Sequence, residues 1–217
     1  MTKVRAVIFD LDGTLLDTES LVICTGGAIL ARHGVPDPEA LLATLVGIDA
    51  AEGRRRLAVA LRGLVAVEDF DRLWSQATTE AFGRGIPHRP GAGELLGHLQ
   101  ALGIPRAVGT NSSTGGAVHK LDRAGLLRHF DPAHVVGVDA APRPKPAPDI
   151  FLEAARRLGT APRDCLVFED SDTGVAAALA AGMRVVQVPD VAPSRARAAH
   201  VMADSLMTGA RAAGLIA

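Results

Sequence analysis

The chain has 217 residues, 48% apolar and 22% charged, with a net charge of −1. It can therefore bury a core without staples, and it offers no electrostatic ground for a nucleic-acid or membrane-surface partner. Cys24 and Cys165 belong to no C-x-x-C or Cys/His spacing, which points to neither a zinc site nor a disulfide framework and leaves buried free thiols as the expectation.

In chain order, the N-terminus MTKVRAVIFDLDGT has no long apolar run behind its positive charge. No segment reaches the ~18 uninterrupted apolar residues of a spanning helix, so the expected compartment is the cytoplasm. The first β-branched, apolar run covers residues 4–9. Similar runs follow at 104–109, 134–138, 165–168 and 184–188, alternating with helical periodicity over 93–102, 115–124, 148–158 and 173–181. Gly103, Gly125, Gly159 and Gly182 stand where those helices should stop. Strand–helix alternation of this kind predicts an α/β fold with a parallel sheet.

One interval breaks the alternation. Between the first two strands lie about ninety residues with helical character and no convincing strand, which reads as an inserted α-helical domain. The expected division is a core of residues 1–15 and 87–217 and a helical insert of residues 16–86. Gly83, Gly85, Pro87, Pro90, Gly91 and Gly93 supply the loop chemistry for the return crossing.

In an open parallel sheet, ligands bind outside the carboxyl ends of the strands. The residues placed there form one chemical set. The first strand ends in Asp10-Leu11-Asp12-Gly13-Thr14, the second in Thr110-Asn111-Ser112-Ser113 and the fourth in Glu169-Asp170-Ser171-Asp172, and Pro144-Lys145-Pro146 lies in the loop after the third. An isolated Asp-x-Asp-Gly is as readily a turn as a site. A second acidic pair, Glu169-Asp170, at another strand end favours a site, because crowded carboxylates raise each other's pKa unless a cation lies between them. A hard divalent metal with oxygen ligands meets that need, and magnesium suits so few carboxylates better than calcium. Prolines on both sides restrict the backbone of Lys145. The chain has only three lysines, Lys3, Lys120 and Lys145, against twenty arginines, so a retained lysine fits a role as a compact point charge on a nucleophile or phosphate. The plain alternative is a solvated surface lysine.

FDLDGTLLDTE, GTNSS, RPKPAPDIF and VFEDSDTGVAAALAAGM together resemble, in order and spacing, the four motifs of the haloacid dehalogenase superfamily, over residues 5 to about 190. The resemblance implies a Rossmann-like parallel sheet with a mobile helical cap that selects substrate, inserted between the first two motifs. It also implies a magnesium-dependent phosphatase acting on a small phosphorylated metabolite. Asp10 would attack phosphorus, and Asp12 would protonate the leaving oxygen and later activate water. Magnesium would be held by Asp10, the backbone carbonyl of Asp12 and Asp170, with Glu169 close by. Thr110, the Asn111 amide and Lys145 would hold the phosphoryl oxygens, and Gly13 would let the backbone bend close to that group.

Departures within the superfamily narrow the reading. The dehalogenases lack the second aspartate and need no metal, whereas Asp12 and Glu169-Asp170 are present here. The phosphonate-cleaving enzymes use a cap lysine, and residues 16–86 contain none. Sugar-phosphate mutases of the beta-phosphoglucomutase type are the nearest alternative. They commonly carry a small apolar residue after the motif-one glycine and basic cap residues. Here Thr14 follows Gly13, Val22 stands where the histidine would align, and Ile48, Asp49 and Ala50 follow Gly47 without a basic side chain. Hydrolysis is favoured over isomerisation.

Within the insert, Arg54-Arg55-Arg56 could face an anionic substrate, but three successive helical residues cannot all point one way. A solvated face is the plainer reading. His33 and Asp49 are comparable candidates, and Trp74 and Phe70, four apart, read as packing. A phosphoryl-accepting receiver domain would be shorter and place its aspartate after the third strand. A nucleotide-binding dehydrogenase would need G-x-G-x-x-G after the first strand, which is absent, and a silent binding protein would be expected to have lost an aspartate or the lysine.

Overall fold

The structure is a computed structural model that describes residues 4–46 and 50–216. Its elements in chain order begin with β1 (Ala6–Phe9), followed by α1 (Thr18–Arg32), α2 (Pro38–Ala43), α3 (Ala50–Ala60) and α4 (Val67–Arg84). Then come α5 (Ala92–Ala101), β2 (Arg106–Gly109), α6 (Thr114–Arg123), β3 (Val135–Val136) and α7 (Asp149–Arg157). β4 (Cys165–Glu169), α8 (Asp172–Ala180), β5 (Arg184–Gln187), β6 (Val201–Met202) and α9 (Leu206–Ala212) complete the chain. The chain divides into two compact units, Met1–Asp17 with Pro87–Ala217, and Thr18–Ile86. Among the described residues no helix is long and apolar enough to cross a membrane.

The larger unit is an α/β Rossmann-like fold with a six-stranded sheet in the order β3-β2-β1-β4-β5-β6, and every strand pair in it is parallel. Its strands are continuous apolar runs because both faces are covered. Ala6, Val7, Ile8 and Phe9 are all fully buried. Ile8, Ala107, Val136, Val167 and Val185 share one cluster with Ile150, Phe151 and Ala154 of α7 and Val175, Ala177 and Ala178 of α8. On the alternate residues, Phe9 stacks on Phe168 with ring centroids 5.2 Å apart. Helix α9 lies over that face. A Cβ at Gly209 would come within 2.5 Å of Val186 and 3.5 Å of Phe168, so glycine there permits the close approach.

β1 sits at the centre, with β2 on one side and β4 on the other, in the registers Phe9↔Val108 and Phe9↔Phe168. The carboxyl ends of these three strands therefore lie side by side, about 4.8 Å apart. Two elements were not foreseen from the sequence, β6 and α9. β6 is two residues long and follows an irregular segment, too short for alternation to register.

The smaller unit is helical. Leu30, Val35, Leu42, Leu57, Leu61 and Phe70 form its core, with Trp74 packed against it. The Phe70 and Trp74 rings lie 5.0 Å apart, and Trp74 Nε1 donates to the Val22 carbonyl at 2.8 Å, which is the packing role read from their spacing. One expectation is corrected: Cys165 is buried but Cys24 is exposed. Cys24 lies on a helix whose buried residues are Thr18, Gly26, Gly27 and Leu30, a face that does not include it.

Phe168 is fully buried and stacked against Phe9. Phe168→Ala is expected to lower the unfolding free energy by about 3–5 kcal/mol. Urea denaturation followed by circular dichroism measures this, and a negligible loss would mean that the neighbouring side chains collapse into the cavity.

Candidate active site

Hydrogen bonds between the segments that follow the strands hold the site residues in place. Asp10 follows β1 directly, and its amide donates to the Phe168 carbonyl at 2.9 Å, which ties its backbone to β4. The Lys145 ammonium lies 2.6 Å from Asp10 Oδ1 and 2.7 Å from Glu169 Oε1, and 4.5 Å from the centre of the Phe151 ring. Its side chain is only 3% exposed. Asn111 fixes this loop with its side-chain amide. The Lys145 N–H donates to Asn111 Oδ1 at 2.9 Å, and Asn111 Nδ2 donates back to the Lys145 carbonyl at 3.4 Å. Only the Asn111 backbone amide was singled out from the sequence, because side-chain clamping of a distant loop leaves no local signature.

Glu169 is the last residue of β4 and is buried. Its Oε2 accepts from both the N–H and the hydroxyl of Ser171, each at 2.9 Å. A Cβ at Gly174 would fall 1.6 Å from Glu169 Oε1, so the first turn of α8 needs glycine to admit this carboxylate. Asp170 accepts from Thr14 Oγ1 at 3.1 Å, and its backbone carbonyl accepts from Gln187 Nε2 at 3.1 Å. Gly13 has φ +85°, and a Cβ there would lie 2.7 Å from Asp170 Oδ2. Two independent constraints thus hold Gly13, its left-handed backbone and the acid packed against it. Thr110 is buried, and its Oγ1 accepts from the Ser112 N–H at 3.1 Å, an arrangement that leaves the hydroxyl proton to donate elsewhere.

Asp10, Glu169 and Asp170 each offer a carboxylate oxygen within 4.8 Å of the others. The donor set is all oxygen and anionic, and three carboxylates face one ammonium. A hard divalent cation such as magnesium fits both its chemistry and its charge. The electrostatics agree. The Asp10 carboxyl is pushed up to about 7, chiefly by burial, with Lys145 opposing the rise and Glu169 and Asp12 adding to it. For Lys145, burial works against the charged form, but Asp10 and Glu169 outweigh it and hold the ammonium above its ordinary pKa.

Asp12 is in different surroundings. Its carboxylate accepts from Ser112 Oγ at 2.8 Å and from Lys120 Nζ at 2.7 and 2.8 Å. Neither Ser112 nor Lys120 was assigned a role from the sequence. The sequence signal that marks Lys120 is the same scarcity of lysine that marks Lys145.

In the helical unit, Arg54 pairs with Glu68 and Asp71, and Arg55 and Arg56 both pair with Glu52. These are exposed pairs of the kind a solvated helix face carries. His33 is half-buried. Asp49, with Gly47 and Ile48 beside it, lies outside the described residues.

The model of the haloacid dehalogenase-like hydrolases matches residues 4–182. A probable pseudouridine-5'-phosphatase of Drosophila melanogaster is 36% identical over 204 residues, covering 92% of this chain and 88% of that protein. Hexitol phosphatase A of Escherichia coli K12 is 37% identical over 188 residues, covering 86% and 83%. Among solved structures, an HAD family hydrolase of Deinococcus radiodurans R1 with bound phosphate and sodium superposes with a TM-score of 0.85 at 30% identity, covering 100% of this chain and 99% of that one. With its fold, its motif order and these relatives in agreement, the chain belongs to the haloacid dehalogenase-like hydrolase family, as a phosphoric monoester hydrolase.

Proposed function

We propose that the protein is a magnesium-dependent phosphatase that hydrolyses a small phosphorylated metabolite, of the sugar or polyol phosphate class, through a phosphorylated Asp10. The observation that carries this reading is the buried contact of Lys145 Nζ with Asp10 Oδ1 at 2.6 Å, set beside the Glu169 and Asp170 carboxylates. The substrate class follows the hexitol phosphatase of Escherichia coli to which the chain is similar.

Asp10, Asp170 and the Asp12 backbone carbonyl would hold magnesium, with Glu169 adjacent. When bound, the ion would offset the repulsion between carboxylate and phosphate and favour the ionised form of Asp10. Asp10 attacks phosphorus while the bond to the leaving oxygen breaks, and Asp12 gives that oxygen its proton. Water then attacks the aspartyl phosphate and passes a proton to Asp12, and the bond between Asp10 and phosphorus breaks to release inorganic phosphate. Lys145 and the Thr110 hydroxyl neutralise and orient the phosphoryl oxygens throughout. Selection among phosphomonoesters falls, on this reading, to the helical unit Thr18–Ile86, which contains no lysine.

A panel of sugar, polyol and nucleoside phosphates, assayed for phosphate release with magnesium and with chelator, tests the reading directly. Activity is expected to require the metal and to vanish in Asp10→Asn, while Asp12→Asn should lose about 10²–10⁴-fold. Retained turnover in Asp10→Asn would overturn the nucleophile, and isomerisation with little free phosphate would replace hydrolase by mutase.

Removing Lys145 strands two buried carboxylates. Lys145→Met is expected to abolish turnover and to destabilise the metal-free protein by about 3–5 kcal/mol, with magnesium restoring part of the stability and none of the activity. Thermal melts with and without the ion distinguish these effects. Gly13→Ala drives a methyl group into Asp170 and is expected to raise the magnesium concentration for half-maximal activity by about 10–100-fold. An unchanged magnesium requirement would place Asp170 outside the metal site.

A further inference from the structure

Asp12 occupies a site of its own. Its carboxylate, 30% exposed, accepts three hydrogen bonds from two side chains that the sequence motifs leave unused: Lys120 Nζ at 2.7 and 2.8 Å, and Ser112 Oγ at 2.8 Å. The two donors also touch each other, with Lys120 Nζ 3.0 Å from Ser112 Oγ. Asp12, Ser112 and Lys120 therefore form a closed triangle.

The platform beneath the triangle is rigid. The Ser112 N–H donates to Thr110 Oγ1 at 3.1 Å, and the Ser112 carbonyl accepts from the Val138 N–H at 3.0 Å. Lys120 projects from α6, whose start is fixed twice. Ser113 caps it by accepting from the Gly116 N–H, and Thr114 donates its N–H and hydroxyl to Asp139 at 2.7 and 2.9 Å. A Cβ at Gly137 would fall 2.2 Å from the Thr114 nitrogen, so the β3 end packs directly on this turn. A flexible lysine side chain on a mobile helix would not hold a carboxylate in one place. This one is anchored at both ends.

We propose that Lys120 and Ser112 are positioning residues for Asp12, which hold its carboxyl group in the orientation from which it protonates the leaving oxygen and later receives the proton of water. The proposal rests on the acid/base role given to Asp12 above. The physical reason is geometric. Proton transfer requires the donor within hydrogen-bond reach of the leaving oxygen as the bond to phosphorus breaks, and a misplacement of about 1 Å can cost about 100-fold. An aspartate in a loop, left to itself, samples several rotamers. Two donors on rigid elements reduce these to one. A carboxyl group that carries its proton on one oxygen still accepts on the other, so the hold persists through both halves of the reaction. Lysine suits this task because its ammonium reaches both carboxylate oxygens and the serine hydroxyl as a point charge.

Two model substrates of nearly the same shape separate positioning of a proton donor from every other effect. p-Nitrophenyl phosphate releases a stable phenolate that needs no proton, whereas p-nitrobenzyl phosphate releases an alkoxide that does. For Lys120→Met, kcat/KM for the benzyl ester is expected to fall about 10–100-fold, and that for the phenyl ester to fall far less. Ser112→Ala should show the same selectivity to a smaller degree, and Lys120→Arg should recover part of the benzyl activity. Adding Lys120→Met to Asp12→Asn should cost nothing further, as for residues acting through one another. Equal loss on both esters, or losses that add in the double variant, would overturn the proposal and make Lys120 a structural or substrate-binding residue. If Asp12→Asn itself shows no preference between the esters, the acid/base role of Asp12 fails, and that outcome is distinct from a failure at Lys120 alone.

Discussion

The interaction on which the site depends is the buried ammonium of Lys145 between Asp10 and Glu169. Taking three charges out of water costs several kcal/mol per ion, and attraction offsets that cost only when the geometry is good and the remaining hydrogen-bonding positions are filled. The structure fills them. Glu169 Oε2 has the Ser171 N–H and hydroxyl, the ammonium has the Phe151 ring, and the Lys145 backbone is clamped by Asn111. Gly174 is where it is because α8 could not otherwise begin beside Glu169. With Asp170 nearby, the negative charge still exceeds the positive. That imbalance is the physical argument for a divalent ion.

Sheet topology explains why residues more than a hundred positions apart meet. With β1 between β2 and β4, whatever follows β1 is flanked by whatever follows β2 and ends β4. Asp10 thus has Thr110 on one side and Glu169 on the other. The loop after β3 reaches the same place from the sheet edge and brings Lys145. The sheet makes this convergence without any sequence-local interaction among the four segments, in keeping with the binding of ligands outside strand carboxyl ends.

For the same reason, some parts of the molecule were legible in the sequence and others were not. The runs ending in Phe9, Gly109 and Phe168 could be read because buried parallel strands are uninterrupted apolar segments with turn chemistry behind them. β6 could not, because two residues carry no period, and the strand exists only as a partner to Val186 and Gln187 of β5. Cys24 departs from the burial expected of cysteine because that preference is an average over contexts, whereas the face of α1 decides its exposure. At the site, the acids and Lys145 announce themselves by type and by position at strand ends. The Asn111 clamp, the Ser171 bonds to Glu169 and the Lys120 contact with Asp12 are matters of side-chain direction between distant segments. Nothing in local composition specifies those directions.

Asp10 and Asp12 show how far surroundings separate two like residues. They stand two positions apart in one short loop, yet each is met by a different lysine delivered by a different element. Lys145 comes from a proline-bounded loop into a dry position, and Lys120 from the helix after β2 into a partly wet one. Burial pushes the Asp10 carboxyl up to about 7, against the pull of its lysine, so positive charge close at hand favours its ionised form. Asp12 is more open, and its carboxylate is held by Lys120 and Ser112. In a chain with twenty arginines, lysine is used at both places because a compact ammonium can be fully enclosed by carboxylates or spread across both oxygens of one, where a planar guanidinium would impose its own fork. On the proposed mechanism, that difference in setting lets one aspartate form a bond to phosphorus while its neighbour only moves protons.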